Sequence, residues 1–289
     1  MTRISIIGAG VVGKATGIGF SQIGHDVVFY DIKREVLQGL EDRGYKVSCS
    51  IRDAILSSRV SFICVPTPTI AGRMDFSYVQ DAVENVAKAL SERESYHLVT
   101  IRSTVLPPLT RRKVIPLLEE GSGLKPGEDF GVCNNPEFLR RATALQDFLN
   151  PSRIVIGELD RKSGDLLETL YSPFGCRILR TDLDTAEVVK YVSNAFLASK
   201  ISFFNETYLI CEKLGVDPEF VSEAVSLDPR IGSYGIQGGR PFEGSCLPKD
   251  LEAFTTFVNE LGMNPHMFDA TAYVNREFRK RKKKTGVDP

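Results

Sequence analysis

A glycine-rich turn set between a strand and a helix limits what this chain can fold into more than any other feature. Arg3-Ile4-Ser5-Ile6-Ile7 reads as a buried strand, Gly8-Ala9-Gly10-Val11-Val12-Gly13 follows at once, and a helical pattern runs on to Ile23. Val27–Tyr30 reads as a second strand and ends on Asp31, 18 positions past the last glycine. A lone G-x-G-x-x-G is a weak signal, because glycine turns are common; the strand before it, the helix after it and the acidic residue beyond make it strong. Such glycines let the turn tighten and let the backbone approach a pyrophosphate, whose charge meets the helix N-terminus, while the acidic residue bonds the ribose hydroxyls. Gly8, Gly10, Val11, Val12 and Gly13 are therefore the expected phosphate-side contacts, with Asp31 and Lys33 at the ribose. A carboxylate at 31 repels the 2′-phosphate of NADP, so NAD is the expected cofactor, although Lys33 and Arg34 work against that repulsion.

The alternation continues. Val60–Val65 and His97–Ile101 read as strands with a helix of about Ser77–Leu90 between them, which predicts βαβ units and a doubly wound parallel sheet of the Rossmann type. The strand ends, Val65-Pro66-Thr67-Pro68 and Arg102-Ser103-Thr104-Val105, fall at the carboxyl edge of the sheet, where ligands bind. There Thr67 and Thr104 either offer hydroxyls to cofactor and substrate or serve as turn and cap residues.

A length of 289 residues suits two domains of ordinary size, and a net charge of -1 provides no basic field for nucleic acid or a membrane surface. No apolar run approaches the roughly 20 residues of a membrane span, and the Ile4–Ile7 stretch is too short for a signal-peptide core, so a cytoplasmic protein is expected. The six cysteines form no Cys-x-x-Cys pair and the three histidines are scattered, so neither a zinc site nor a disulfide framework is expected. Cys64 and Cys133 sit in strand-like surroundings and read as small buried hydrophobes.

From Asp184 to Leu214 there is neither proline nor glycine, and the apolar residues recur at helical spacing; the stretch predicts one helix of about eight turns. Glu187, Lys190 and Asn194 share one face of it, which is either an exposed salt-bridged surface or the lining of a polar pocket. The segment 232–244 holds five glycines and one proline, which excludes regular structure, and it leads into Cys246 with Lys249 and Asp250 close behind. If a helix starts near Pro248, its dipole and Lys249 favour a thiolate at Cys246; the alternative is a small buried cysteine.

Four further segments carry a resemblance: Asn135-Pro136-Glu137-Phe138-Leu139-Arg140, Ala186-Glu187-Val188-Val189-Lys190-Tyr191-Val192-Ser193-Asn194, Asp228-Pro229-Arg230-Ile231-Gly232 and Gly244-Ser245-Cys246-Leu247-Pro248-Lys249-Asp250. With the glycine turn they occur in the order and spacing of the UDP-glucose/GDP-mannose dehydrogenases, and the resemblance runs from Ile4 to about Arg276. It implies a Rossmann domain over 1–183, then the long helix 184–214 within a smaller all-helical domain over 184–289. It also implies NAD-dependent oxidation of the C6 alcohol of a nucleotide sugar, UDP-glucose to UDP-glucuronate being the expected case. Cys246 would be the nucleophile, Lys190 would stabilise the oxyanion, Asn194 would place the sugar, Asp250 and Glu137 would handle protons or order water, and Thr104 would assist. Phe138, Leu139 and Gly244 would line the substrate, and Arg230 would reach substrate bound to a neighbouring subunit, in a homodimer built on the long helix.

Three departures bear on that expectation. Arg141 stands where the family usually has Glu, and Glu243 where it usually has Gly. The family also has a third, C-terminal domain, whereas this chain stops at Pro289 after the basic stretch Arg279–Lys284, which reads either as a solvated tail or as the stub of a linker. A separate C-terminal domain is accordingly a candidate partner, and the alternative function is a catalytically weak or silent nucleotide-sugar-binding subunit that requires one.

Overall fold

Strand β1 (Arg3–Ile7) is buried at Ile4, Ser5, Ile6 and Ile7; Val60–Ile63 on one side of it is buried throughout and Asp26–Tyr30 on the other alternates half-buried with buried residues, so β1 lies in the interior of a sheet covered on both faces. The computed structural model describes residues 1–285; the expected domain end at Pro289 lies outside them. The chain forms two compact units, one of Met1–Thr67 with Asp75–Lys190, the other of Pro68–Met74 with the residues from Tyr191 onward.

In the first unit the chain alternates β1, α1 (Val11–Gln22), β2 (Asp26–Tyr30), α2 (Arg34–Glu41), β3 (Lys46–Val47), α3 (Ile51–Ser57) and β4 (Val60–Ile63). The hairpin β5 (Thr69–Ile70) and β6 (Arg73–Met74) interrupts it, and α4 (Ser77–Leu90), β7 (His97–Ile101), α5 (Ile115–Ser122), β8 (Phe130–Asn134), α6 (Ala144–Leu149), β9 (Ile154–Glu158), α7 (Arg161–Tyr171) and β10 (Ile178–Asp182) complete it. The sheet order is β10-β9-β8-β7-β4-β1-β2-β3, parallel throughout except where β8 meets β9. The order reverses between β1 and β4, and in sheets of this kind ligands bind outside the carboxyl ends of the strands at that reversal. The register aligns Ile7 with both Tyr30 and Ile63, so the glycine turn, Asp31 and Cys64 emerge at one edge. The strand expected to reach Val65 stops at Ile63; Cys64 still donates its N–H to Ile7 O at 2.7 Å, and Pro66 beyond it has no N–H for a ladder.

Helix α8 (Leu183–Leu214) starts one residue ahead of the expected Asp184 and passes from the first unit to the second between Lys190 and Tyr191. The second unit adds α9 (Pro218–Ser226), α10 (Leu247–Glu260) and α11 (His266–Thr285). It is helical apart from the β5–β6 hairpin, which sequence patterning did not reveal and which packs on α10. Tyr191 and Phe254 stack at 5.3 Å in its core. Residues 232–244 form no regular element, as their glycines require.

Candidate active site

At the end of β1, Gly8 adopts φ +93°, and a Cβ there would stand 2.9 Å from the Cys64 carbonyl oxygen. At Gly13 a Cβ would fall 1.9 Å from Gly8 O, so both positions admit only glycine. Gly10 differs: nothing lies within 4 Å of its Cβ position, and it is the N-cap of α1 with no side chain capping it. Open space before an uncapped helix N-terminus, bounded by exposed Val11 and half-buried Val12, fits a pyrophosphate. Asp31 holds the turn in place, since Oδ2 accepts the Ala9 N–H at 2.7 Å and Oδ1 accepts the Lys33 N–H at 2.9 Å. The Lys33 side chain is exposed. Thr67 is buried and Thr104 half-buried; among the described residues neither hydroxyl has a protein partner, which leaves both available to a ligand.

Beyond β8 the chain turns through Asn135-Pro136 into Glu137. Lys190 on α8 reaches back to it, donating to Glu137 Oε1 at 2.8 Å and to its carbonyl at 2.7 Å, with both side chains under a tenth exposed. The second carboxylate oxygen accepts the Leu139 N–H at 2.6 Å. Burial pushes the Glu137 carboxyl up, but Lys190, the Leu139 N–H and the nearby Arg102 together hold it below the ordinary carboxylate range. Phe138 lies against cations, with Arg153 at 3.9 Å and Lys190 at 5.6 Å from its ring centre. Three residues earlier on α8, Glu187 accepts the Thr110 N–H at 2.9 Å while its other oxygen is buried without a partner. Burial pushes that carboxyl up to about 8 against the pull of Thr110, so it is largely protonated at neutral pH.

In the second unit Asn194, one helical turn beyond Lys190, donates to Asp250 Oδ2 at 2.6 Å, and Lys249 pairs with Asp250 Oδ1 at 2.5 Å. The expected face Glu187, Lys190 and Asn194 is thus buried at all three positions and each side chain is partnered, which removes the exposed salt-bridged alternative. Cys246 is exposed and is the N-cap of α10, so its thiol sits at the positive end of a 14-residue helix rather than in a core. The Lys249 ammonium is directed to Asp250. Glu243, whose charge would oppose a thiolate, is itself paired with Lys282 at 3.2 Å. Gly244 is exposed with φ +84°. Arg230 is exposed and pairs with Asp228 at 2.6 Å, and Arg141 is exposed in a short helical turn. Among the described residues no cluster of His, Cys, Asp and Glu is placed to hold a metal ion, and no helix is long and apolar enough to cross a membrane.

Residues 33–175 match the model of the UDP-glucose/GDP-mannose dehydrogenase family, NAD binding domain, and residues 184–277 match that family's central domain. The chain belongs to this family. It is 37% identical to the GDP-mannose 6-dehydrogenase of Pseudomonas aeruginosa, an alignment covering 92% of this chain and 66% of that one. It is 34% identical to the UDP-glucose 6-dehydrogenase of Haloferax volcanii, covering 94% and 69%. Among solved structures, a UDP-glucose dehydrogenase from Pyrobaculum islandicum superimposes with a TM-score of 0.91 at 35% identity, over 99% of this chain and 72% of that one. The chain spans about two thirds of the length of the curated relatives it matches. Its first unit is the family's NAD-binding domain, and NAD is its cofactor.

Sequence reasoning missed the residues that hold this site in shape. Arg102 is buried and donates to Asn135 Oδ1 at 2.5 Å and to Thr16 Oγ1 at 3.0 Å, so it ties α1 to the Glu137 turn. Asn135 also receives the Tyr171 hydroxyl at 2.6 Å and donates to Val155 O at 2.7 Å. The signal available was an arginine directly after the short strand His97–Ile101, where burial demands partners.

Proposed function

We propose that this chain carries the cofactor site and the reacting thiol of a nucleotide-sugar 6-dehydrogenase, with UDP-glucose as the sugar nucleotide. The observation that supports it best, in a member of this family, is an exposed Cys246 at the N-terminus of α10 with Asp250 one turn further on, buried and held by Asn194. NAD, when bound, accepts a hydride in each of two oxidations. In the first, the C6 alcohol would give its hydride to NAD and its proton, through the Asp250 or Glu137 carboxylate, to water, and become an aldehyde. The Cys246 sulfur then adds to the aldehyde carbon, giving a thiohemiacetal whose oxyanion the Lys190 ammonium stabilises. Loss of the second hydride gives a thioester. Glu137 and Asp250 orient the water that adds to it and take its proton, and the thiol leaves as the acid forms. Thr104 and Asn194 hold the sugar, with Phe138, Leu139 and Gly244 along its length. Counting NADH per sugar consumed tests this: two supports the full reaction, one leaves a single-step dehydrogenase, and none leaves a nucleotide-sugar-binding subunit.

Asp31 sets the cofactor preference. Calorimetric titration should show NAD bound more tightly than NADP, and Asp31→Ala should narrow the difference by roughly tenfold, because it removes both the ribose contact and the repulsion of the 2′-phosphate. Equal affinities in the unaltered chain would refute that role.

We further infer a homodimer through α8. Val192, Phe196, Phe203, Ile210 and Leu214 recur at helical spacing and are all exposed, Phe196 at 66% and Phe203 at 63%. Exposed apolar residues at this spacing on a long helix, with Ser199, Lys200, Glu206 and Thr207 between them, can pair with their own copies about a two-fold axis. Phe196→Glu with Phe203→Glu should halve the mass measured by light scattering and leave the circular dichroism spectrum unchanged; an unaltered mass would exclude these residues as the interface.

A further inference from the structure

Glu187 is a buried carboxyl that serves a helix to which it does not belong. The π-helical turn Thr110–Val114 runs directly into α5, so Thr110 opens one continuous helical stretch. Leu109 stands at the cap position before it and has no side-chain acceptor for the orphan N–H groups of that first turn. Glu187 supplies one from α8: its Oε1 accepts the Thr110 N–H at 2.9 Å, and Thr110 is fully buried. Among the described residues its other oxygen has no partner, so Thr110 is the group it serves.

Two further contacts fix the same spot. Thr110 Oγ1 accepts the side-chain amide of Asn134, at the end of β8, at 3.4 Å, and Arg111 pairs with Asp184 at 3.1 Å, one turn before Glu187 on α8. Helix α8 thus presents Asp184, Glu187 and Lys190 at successive turns. The first two hold the chain that follows β7, and the third holds the Glu137 turn that follows β8.

The chain that follows β7 carries Thr104. Its near end is held against β4, where Ser103 donates its N–H to Ile63 O at 3.0 Å and its hydroxyl to Val65 O at 2.7 Å. Its far end is Thr110. Between these anchors Val105 and Pro107 are buried, the Leu109 N–H closes a turn on Leu106 O at 2.9 Å, and two successive prolines fix φ, so the span has little freedom. Thr104 is half-buried, and among the described residues its hydroxyl has no protein partner, so its direction is set by the backbone that carries it.

We propose that Glu187 is a positioning residue for Thr104: by capping the helix that opens at Thr110 it fixes the far end of the 103–110 segment, and so the place of the Thr104 hydroxyl against NAD. The proposal rests on the reading of Thr104 as a contact to the cofactor as well as to the sugar. Glu187 touches neither cofactor nor reacting atoms and acts through the Thr110 N–H. Burial pushes its carboxyl up to about 8, so at neutral pH it is largely an uncharged acid, and glutamine, which offers the same carbonyl oxygen, is its conservative substitute. Leucine fills the space but leaves the Thr110 N–H buried without an acceptor.

Calorimetric titration of the full chain with NAD near pH 7, beside hydrogen exchange, tests it. Glu187→Leu should weaken NAD binding by about fivefold and Glu187→Gln by less than about twofold. In Glu187→Leu the peptide covering residues 103–112 should exchange about threefold faster or more, with the peptide covering 3–7 unchanged. Thr104→Val, which removes the hydroxyl, should weaken NAD by a similar factor, and adding Glu187→Leu to it should cost less than about twofold more, since both act through one contact. Glu187→Asp, whose shorter carboxyl draws the acceptor away from Thr110, should behave as leucine does and takes its place if the leucine chain does not fold. Equal losses from leucine and glutamine would mean that the acceptor is not what matters, and a fully additive double variant, or residues 3–7 loosened as much as 103–112, would mean a general structural role. Each of these overturns the proposal, as does a Glu187→Leu chain that exchanges and binds like the unaltered one. If Thr104→Val alone leaves NAD affinity unchanged, the reading of Thr104 fails and the proposal with it, a failure seen in a different variant.

Discussion

Replacing Cys246 with serine is expected to lower acid formation by on the order of a thousandfold or more while sparing the first hydride transfer. The first oxidation removes a proton and a hydride from the sugar alcohol and needs no bond to the protein. The second begins from an aldehyde, which has no hydride to give until a nucleophile adds. A thiol is a far better nucleophile than a serine hydroxyl at neutral pH, and among the described residues the charged side chains flanking position 246 are already engaged, Lys249 by Asp250 and Glu243 by Lys282. The variant should therefore accumulate substrate at the aldehyde level, visible by mass spectrometry as free or enzyme-held aldehyde, and the NADH yield should fall from two per sugar toward one. Acid production at the unaltered rate would exclude Cys246 as the nucleophile.

Much of this arrangement was legible because local rules and tertiary demands agree in it. The long helix is bounded within one residue because no proline or glycine falls between Asp184 and Leu214, and the glycine turn declares itself through the strand before it and the acid after it. Pro248 close behind Cys246 marked a helix start, and α10 begins at Leu247. What the sequence did not disclose depends on residues far apart in the chain. Nothing local says that Arg102 reaches Asn135, or that the proline-rich stretch after Val65 continues into a hairpin lying on α10, since Ala71 at positive φ leaves no compositional trace. Helical spacing put Glu187, Lys190 and Asn194 on one face without choosing between solvent and pocket. Burial chose, because Glu187 meets the Thr110 N–H, Lys190 meets Glu137 and Asn194 meets Asp250.

Lys190→Met is expected to be the most damaging substitution for the fold around the Glu137 turn. It leaves the Glu137 carboxylate and carbonyl buried without their shared donor, and breaking a buried pair from one side costs about 3–5 kcal/mol. The effect should depend on pH with a definite sign. In the unaltered chain Glu137 is held below its ordinary value of 4.5, so its contribution is present above that value and is lost as pH falls through the folded one. Without Lys190 the upward push of burial prevails and the folded value lies above 4.5, so the contribution reverses and stability is lost as pH rises from there. The gap in urea-unfolding free energy between variant and unaltered chain should therefore widen between pH 5 and pH 8, a comparison in which groups common to both, such as Glu187, cancel. Adding Glu137→Gln to Lys190→Met removes the charge that causes the slope and should recover most of the stability. That double variant should still bind NAD yet lose on the order of a hundredfold or more in kcat, because the oxyanion has lost its cation and the attacking water one of its carboxylates. A gap independent of pH would mean that the Glu137 carboxylate is not what Lys190 holds in place.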